Sequence, residues 1–292
     1  MQLLERFAEI AKRDEPLASY THLKLGGPAD VLVQPRSREE LAEVVRHCRA
    51  KSIPVRVLGG GGNLLVSDEG VRGVVLRLSE PAFTQLAVEG RRVRCGCGAL
   101  LSSLISEAAR HGLGGLEALV GIPGTVGGGL RCNAGDRAGE IGRYVQQVEV
   151  MDDEGQVQVR DRDELRFGYC WSNLDDPVLL SAEFELEADQ PDAIVKHMRK
   201  AWIQRKARQP LSFEASCRVF KNPRGLNAAE LIEQTGLSKT RVGGAEISER
   251  DANYIVAHPG ATARDVLRLI DLIRTRVQER FNVELELELS EW

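Results

Sequence analysis

Four consecutive glycines, Gly59, Gly60, Gly61 and Gly62, stand inside the run LGGGGNLLVSD (residues 58–68), with Asn63 directly after them. No helix or strand interior keeps four glycines in a row, because glycine loses more backbone freedom on ordering than any other residue. The run is a loop, and without Cβ atoms its N–H groups can turn inward as a nest for phosphate oxygens. It is neither GxGxxG nor a Walker loop, and no Lys-Ser/Thr follows, so a Rossmann dinucleotide and a nucleoside triphosphate are both disfavoured. A second run, GIPGTVGGG (residues 121–129), leads into CNAGD, where Asn133 offers two amide donors and a carbonyl acceptor. Two cradles about sixty residues apart fit a pyrophosphate gripped from two sides; a plain flexible turn is the bland reading of each.

The surrounding pattern supplies a frame for such loops. Residues 29–33 read as a strand, followed by a helix whose Ser37 and Glu40 form a capping box and whose Leu41, Val44, Val45 and Cys48 share one face. Residues 53–58 read as the next strand, which ends in the glycines. Short alternating runs then lead to a helix over 100–110, a hairpin turning at Glu154-Gly155, a strand at VLLSAEFELE and a long basic helix over 191–208. Beyond it come a helix over 228–235, a β-like segment at 253–257, a helix over 263–280 capped by Thr262 with Asp265, and a strand VELELEL. The composition change near residue 190 predicts two domains, 1–190 (with an internal boundary near 80) and 191–292.

Bulk composition excludes several classes. A net charge of −4 gives no sign of a polyanion-binding face, so no nucleic-acid partner is expected. The amphipathic start MQLLERFAEIAKRDEP lacks the apolar stretch of a signal peptide and no later run approaches a membrane span, so a cytoplasmic address without membrane insertion is expected. Six cysteines occur without zinc spacing or a disulfide framework, and no metal is expected.

Taken in order, YTHLKLGGPAD, LGGGGNLLVSD, GIPGTVGG, CNAGD, FGY, VFKNP, RVGGAEIS and the final ELELEL resemble the UDP-N-acetylenolpyruvoylglucosamine reductases, the MurB family. The match spans almost the whole chain and looks like the family's short type, without an extra substrate-capping loop. The resemblance implies an α+β fold with an FAD-binding half of the PCMH or vanillyl-alcohol-oxidase kind and a smaller α+β substrate domain. It also implies FAD as cofactor, NADPH as reductant, and reduction of UDP-N-acetylglucosamine enolpyruvate to UDP-N-acetylmuramate for peptidoglycan. The cofactor-binding positions are then Gly59, Gly60, Gly61, Gly62, Asn63, Gly121, Ile122, Pro123, Gly124, Thr125, Gly127 and Asn133, and Tyr169, Lys221 and Asn222 are substrate contacts. The bland readings are a solvated charge for Lys221 and a turn at Asn222-Pro223.

Hydride addition at the terminal alkene carbon leaves an enol(ate) beside the carboxylate, so the site needs a cation or donor for that charge and an acid for the other carbon. The family uses an Arg after the Tyr of YRxS, a Ser or Cys in SAG(S/C)xFKNP, and a Glu in the last strand. Here Glu288 matches the Glu, whereas Cys170 stands at the Arg position and Arg218 at the Ser/Cys position. The catalytic candidates are therefore Glu288, Arg218 as the cation and Cys170 as the acid, with Cys217 or Ser216 in reserve. Gly62 and Asp251 replace a Ser and a His of the family pattern. The alternative is a catalytically impaired homologue that keeps FAD or the UDP-sugar, and a flavin oxidase of another substrate is weaker still.

Overall fold

The computed structural model describes residues 5–210 and 215–292; residues 1–4, which open the amphipathic N-terminal segment, and 211–214 lie outside them. The chain groups into two units, one of Met1–Asp14, Asp30–Gly60 and Arg72–Gln204, the other of Glu15–Ala29, Gly61–Val71 and Arg205–Trp292. The second unit thus takes in two early stretches besides the C-terminal part.

The first unit has two sheets. The helix Arg38–Ala50 starts where Ser37 accepts the Glu40 N–H at 3.3 Å. The Glu40 carboxylate does not close a reciprocal box but accepts the Arg36 N–H at 2.7 Å and pairs with its guanidinium at 2.8 Å. Leu41, Val44, Val45 and Cys48 are all buried, as their shared face requires. The helix covers a four-stranded sheet ordered Ala11–Pro16, Pro28–Val33, Val71–Leu76, Val55–Val57, the last two parallel. The second sheet is an antiparallel five-stranded one ordered Val157–Asp161, Val145–Met151, Val178–Glu185, Arg92–Gly96, Leu86–Glu89. Its hairpin turns at Glu154-Gly155, where Asp152 Oδ1 accepts the N–H groups of Glu154 and Gln156 at 2.9 Å each.

Met151, Val178 and Leu180 of the second sheet pack into the core of the first, so the two layers share side chains. Glu149 ties them electrostatically: it accepts from Arg38 at 2.8 Å, Arg94 at 2.6 Å and the Ser181 hydroxyl. Burial alone raises this carboxyl, but the hydrogen bonds from Arg38, Ser181 and Arg94 outweigh it and hold it down at about 2.

In the second unit a four-stranded sheet is ordered Ser216–Arg218, Tyr254–Ala257, Ala245–Ile247, Arg241–Val242. The helix Ala263–Phe281 packs on it through Val266, Leu269, Ile270 and Ile273, and its capping box of Thr262 and Asp265 is complete. The expected strand VELELEL is not a ladder strand. Residues 282–289 run along Val219–Lys221 with one bridge, Phe220↔Leu287, and the Val219 carbonyl takes both the Glu288 and Leu289 N–H groups, at 2.8 and 3.2 Å. That doubled acceptor breaks the register, Pro223 offers no N–H on the side of residues 282–284, and beyond the break Ser290–Glu291 pair with Leu64–Leu65. No helix among the described residues is long and apolar enough to cross a membrane.

Candidate active site

The two glycine runs meet in the first unit. A Cβ on Gly60 would lie 2.6 Å from Gly124 Cα, and one on Gly59 would lie 2.7 Å from Thr125 Oγ1. Only glycine permits that approach at position 60, and Gly124 adopts φ +130°, a backbone that other residues avoid. Around the junction lies a cleft of about 500 Å³ lined by Gly59, Gly60, Thr125, Gly127 and Gly128, with apolar walls from Val57, Leu58 and Leu179. A shallower depression at Arg162–Phe167 has no such loop and is open to solvent. The cleft's glycine cradle and polar rim fit an elongated ligand with a pyrophosphate and an apolar ring system.

Residues 126–129, expected as part of the loop 121–129, instead open a short helix, Val126–Arg131. Thr125 caps it by accepting the Gly128 N–H at 3.3 Å, and the Val126 and Gly127 N–H groups bond the carbonyls of Ala99 and Cys97. Gly127 therefore reaches the cleft from a helix. Gly121, Ile122 and Pro123 lead into Gly124, with Ile122 packed on the apolar core. Asn133 is buried and its side chain serves the protein: it donates to Glu140 at 2.8 Å and the Gly168 carbonyl at 2.9 Å and accepts the Gly142 N–H at 3.0 Å. Those bonds hold the hairpin Phe167–Gly168 and Trp171–Ser172, whose two-residue tip is Tyr169-Cys170. Tyr169 is exposed and Cys170 sits at φ +51°.

Sequence reading missed Arg77, Ser79, Ser103 and Arg131, all on the cleft wall. Arg77 and Ser79 follow the strand Val71–Leu76, just as the glycines follow its parallel neighbour Val55–Val57. The carboxyl ends of adjacent parallel strands are a recurrent ligand site, and that pairing was the signal available. Arg131 is anchored by the carbonyls of Leu174, at 2.5 Å, and Asp176.

The remaining positions fall in the second unit. Gly61, Gly62 and Asn63 belong to it, and the Asn63 carbonyl accepts the Ser290 N–H at 3.1 Å. Asn222 Oδ1 accepts the Ala228 N–H at 3.0 Å at the start of the helix Ala228–Gln234, and Lys221 is ion-paired with Glu286. Arg218 Nε lies 3.5 Å from Glu288 Oε2, both side chains being half-buried. Cys217 is buried on the opposite face, its thiol pushed up to about 12 by burial and then by Glu288. Burial also raises Asp251, against the Asn253 N–H and the charges of Arg218 and Arg208, and raises the Tyr254 phenol, which Arg218 opposes.

Residues 29–160 match a family model described as an FAD binding domain, and residues 209–292 one described as the UDP-N-acetylenolpyruvoylglucosamine reductase C-terminal domain. The UDP-N-acetylenolpyruvoylglucosamine reductase of Moorella thermoacetica is 43% identical over 280 residues, covering 96% of this chain and 92% of that protein. The chain belongs to the UDP-N-acetylenolpyruvoylglucosamine reductase family. A second relative, UDP-N-acetylenolpyruvoylglucosamine reductase 2 of Symbiobacterium thermophilum, is 44% identical over 283 residues, with the same two coverages. A crystal structure of the UDP-N-acetylenolpyruvylglucosamine reductase (MurB) of Thermus caldophilus superposes with a TM-score of 0.82 at 41% identity, over 97% of this chain and 98% of that one. The fold is thus the α+β, PCMH-type flavin-binding architecture of the reductase family. Within that family's pattern the departures at Cys170 and Arg218 stand in different units, so each has its own local surroundings.

Proposed function

We propose that this chain is an FAD-dependent, NADPH-using reductase that converts UDP-N-acetylglucosamine enolpyruvate to UDP-N-acetylmuramate for peptidoglycan synthesis in the cytoplasm. The observation that carries the reading is the Gly60–Gly124 approach within a cleft of about 500 Å³, in a chain of this family. FAD's chemistry there is two-electron hydride exchange, with NADPH as the source and the enolpyruvyl alkene as the destination. Gly59, Gly60, Gly124 and Thr125 serve as the pyrophosphate cradle, Gly127 keeps its floor free of a side chain, and Arg131 adds a positive charge on its wall. We assign the flavin to the part within residues 1–190 and the UDP-sugar to the part within 191–292, and take Lys221, Asn222 and Tyr169 as substrate contacts.

Arg218 supplies the cation for the enolate charge, and Glu288 fixes the guanidinium by their ion pair. The other carbon then needs a proton from a group that is protonated at neutral pH and recovers its proton from water. Cys170 and Cys217 are the thiol candidates. Cys217 is 2% exposed and faces the core, which disfavours it.

The test is purified protein assayed for bound flavin and for NADPH consumption with and without UDP-N-acetylglucosamine enolpyruvate. Substrate-dependent consumption is expected. Bound flavin without it would mean an impaired homologue, and substrate-independent oxygen consumption an oxidase.

A further inference from the structure

The strands Ser216–Arg218 and Tyr254–Ala257 pair antiparallel with Arg218 directly opposite Tyr254. Directly opposed residues share a face with Cβ atoms about 4.5–5.5 Å apart, so the phenol and the guanidinium stand side by side. The neighbouring pair, Cys217 and Ile255, faces the other way into the core and is buried. Glu288 joins the Arg218 side at 3.5 Å, which gathers a carboxylate, a guanidinium and a phenol on one face of the sheet.

We propose that Tyr254 is the proton donor of the reduction. The assignment rests on the reductase reading. After hydride addition to the terminal carbon, the electron pair of the enolate forms the new C–H bond at the adjacent carbon while the Tyr254 O–H bond breaks, and the substrate carboxylate is restored. The phenolate left behind is neutralised by Arg218 and regains its proton from water, which the half-buried position of Tyr254 allows. An arginine at position 218 cannot give up a proton at neutral pH, whereas a phenol with an ordinary value near 10 is fully protonated there. Burial raises the phenol further, and the adjacent positive charge stabilises the phenolate in the transition state, where it counts.

The experiment compares wild type, Tyr254→Phe and Cys170→Ala, each expressed per bound flavin, in two assays: flavin reduction by NADPH alone, and steady-state NADPH consumption with UDP-N-acetylglucosamine enolpyruvate. Tyr254→Phe is expected to reduce its flavin at the wild-type rate and to lose roughly 10²- to 10⁴-fold in kcat, as for a missing general acid. Cys170→Ala is expected to lose at least about tenfold less kcat than Tyr254→Phe. A Tyr254→Phe enzyme turning over within about threefold of wild type would overturn the proposal while leaving the reductase reading intact. So would loss confined to Cys170→Ala. A wild type that consumes no NADPH on substrate defeats the reductase reading itself.

Discussion

Replacing Gly60 with alanine adds one methyl group at the place where the two loops touch. The new Cβ would lie 2.6 Å from Gly124 Cα, 3.2 Å from its carbonyl carbon and 3.4 Å from its nitrogen. Carbon atoms rest about 3.5–4.0 Å apart, so the loops must separate by roughly 1 Å, and backbone cannot rotate away as a side-chain tip would. Two effects follow. Forced separation costs about 1–3 kcal/mol of stability, as overpacking does elsewhere. It also pulls cradle N–H groups off a charged ligand, at about 1.5–3 kcal/mol per hydrogen bond, so losing one or two of them weakens FAD binding about 10- to 10⁴-fold. The assay is titration of flavin-stripped protein by flavin fluorescence, with urea unfolding of the same samples. Gly124→Ala meets no protein atom within 4 Å, so its stability penalty comes from backbone strain at φ +130° and should be smaller than that of Gly60→Ala. A Gly60→Ala protein that binds FAD with wild-type affinity and stability would refute the assignment of this junction to the cofactor.

Glu288→Gln should leave flavin reduction by NADPH intact and cut substrate-dependent turnover at least about 10²-fold, because Arg218 loses the carboxylate that fixes it. Its stability loss, read by thermal melting, should stay near 1 kcal/mol or below for so long and partly exposed an ion pair. Glu149→Gln should destabilise the protein at pH 7 but not at pH 2. The folded carboxyl sits at about 2, below its unfolded value, so its contribution is present above the unfolded value and fades as pH falls towards 2. Urea midpoints across that range check the sign, and an equal deficit at both ends would refute it. Thr125→Ala should lower stability by about 1 kcal/mol through loss of the helix cap, measured the same way.

Much of the fold was legible where a local signal is strong. Ser37 and Thr262 mark the starts of Arg38–Ala50 and Ala263–Phe281, and period 3.6 marks their buried faces, because caps and amphipathic stripes act over a few residues. The hairpin at Glu154-Gly155 was readable for the same reason. VELELEL misled because alternation describes which side chains are buried and says nothing of whether a partner strand continues; the Val219 carbonyl and Pro223 decide that, from more than sixty residues away. The short helix at Val126–Arg131 was hidden by three glycines, whose low helix propensity is overridden by the Thr125 cap and by bonds to Cys97 and Ala99.

At the site, glycine spacing exposed the cradle, but Arg77, Ser79, Ser103 and Arg131 carry no motif and become visible only once the strands are placed side by side. The altered positions show the same limit more sharply. Along the chain, Cys170 and Arg218 look like two residues that have exchanged addresses, which ties the meaning of each to the other. In the folded second unit Arg218 instead has its own company: Glu288 at 3.5 Å, Tyr254 across the strand pair, and Asp251, whose carboxyl senses the guanidinium. A half-buried guanidinium needs negative charge nearby, and an imidazolium at position 251, where the family pattern has His, would repel it. The departures at 218 and 251 are therefore chemically coupled within one unit, with no appeal to Cys170. The register that couples them also sets a phenol beside the guanidinium, so that a protonated O–H stands at residue 254 where the family pattern would put a hydroxyl or thiol at 218.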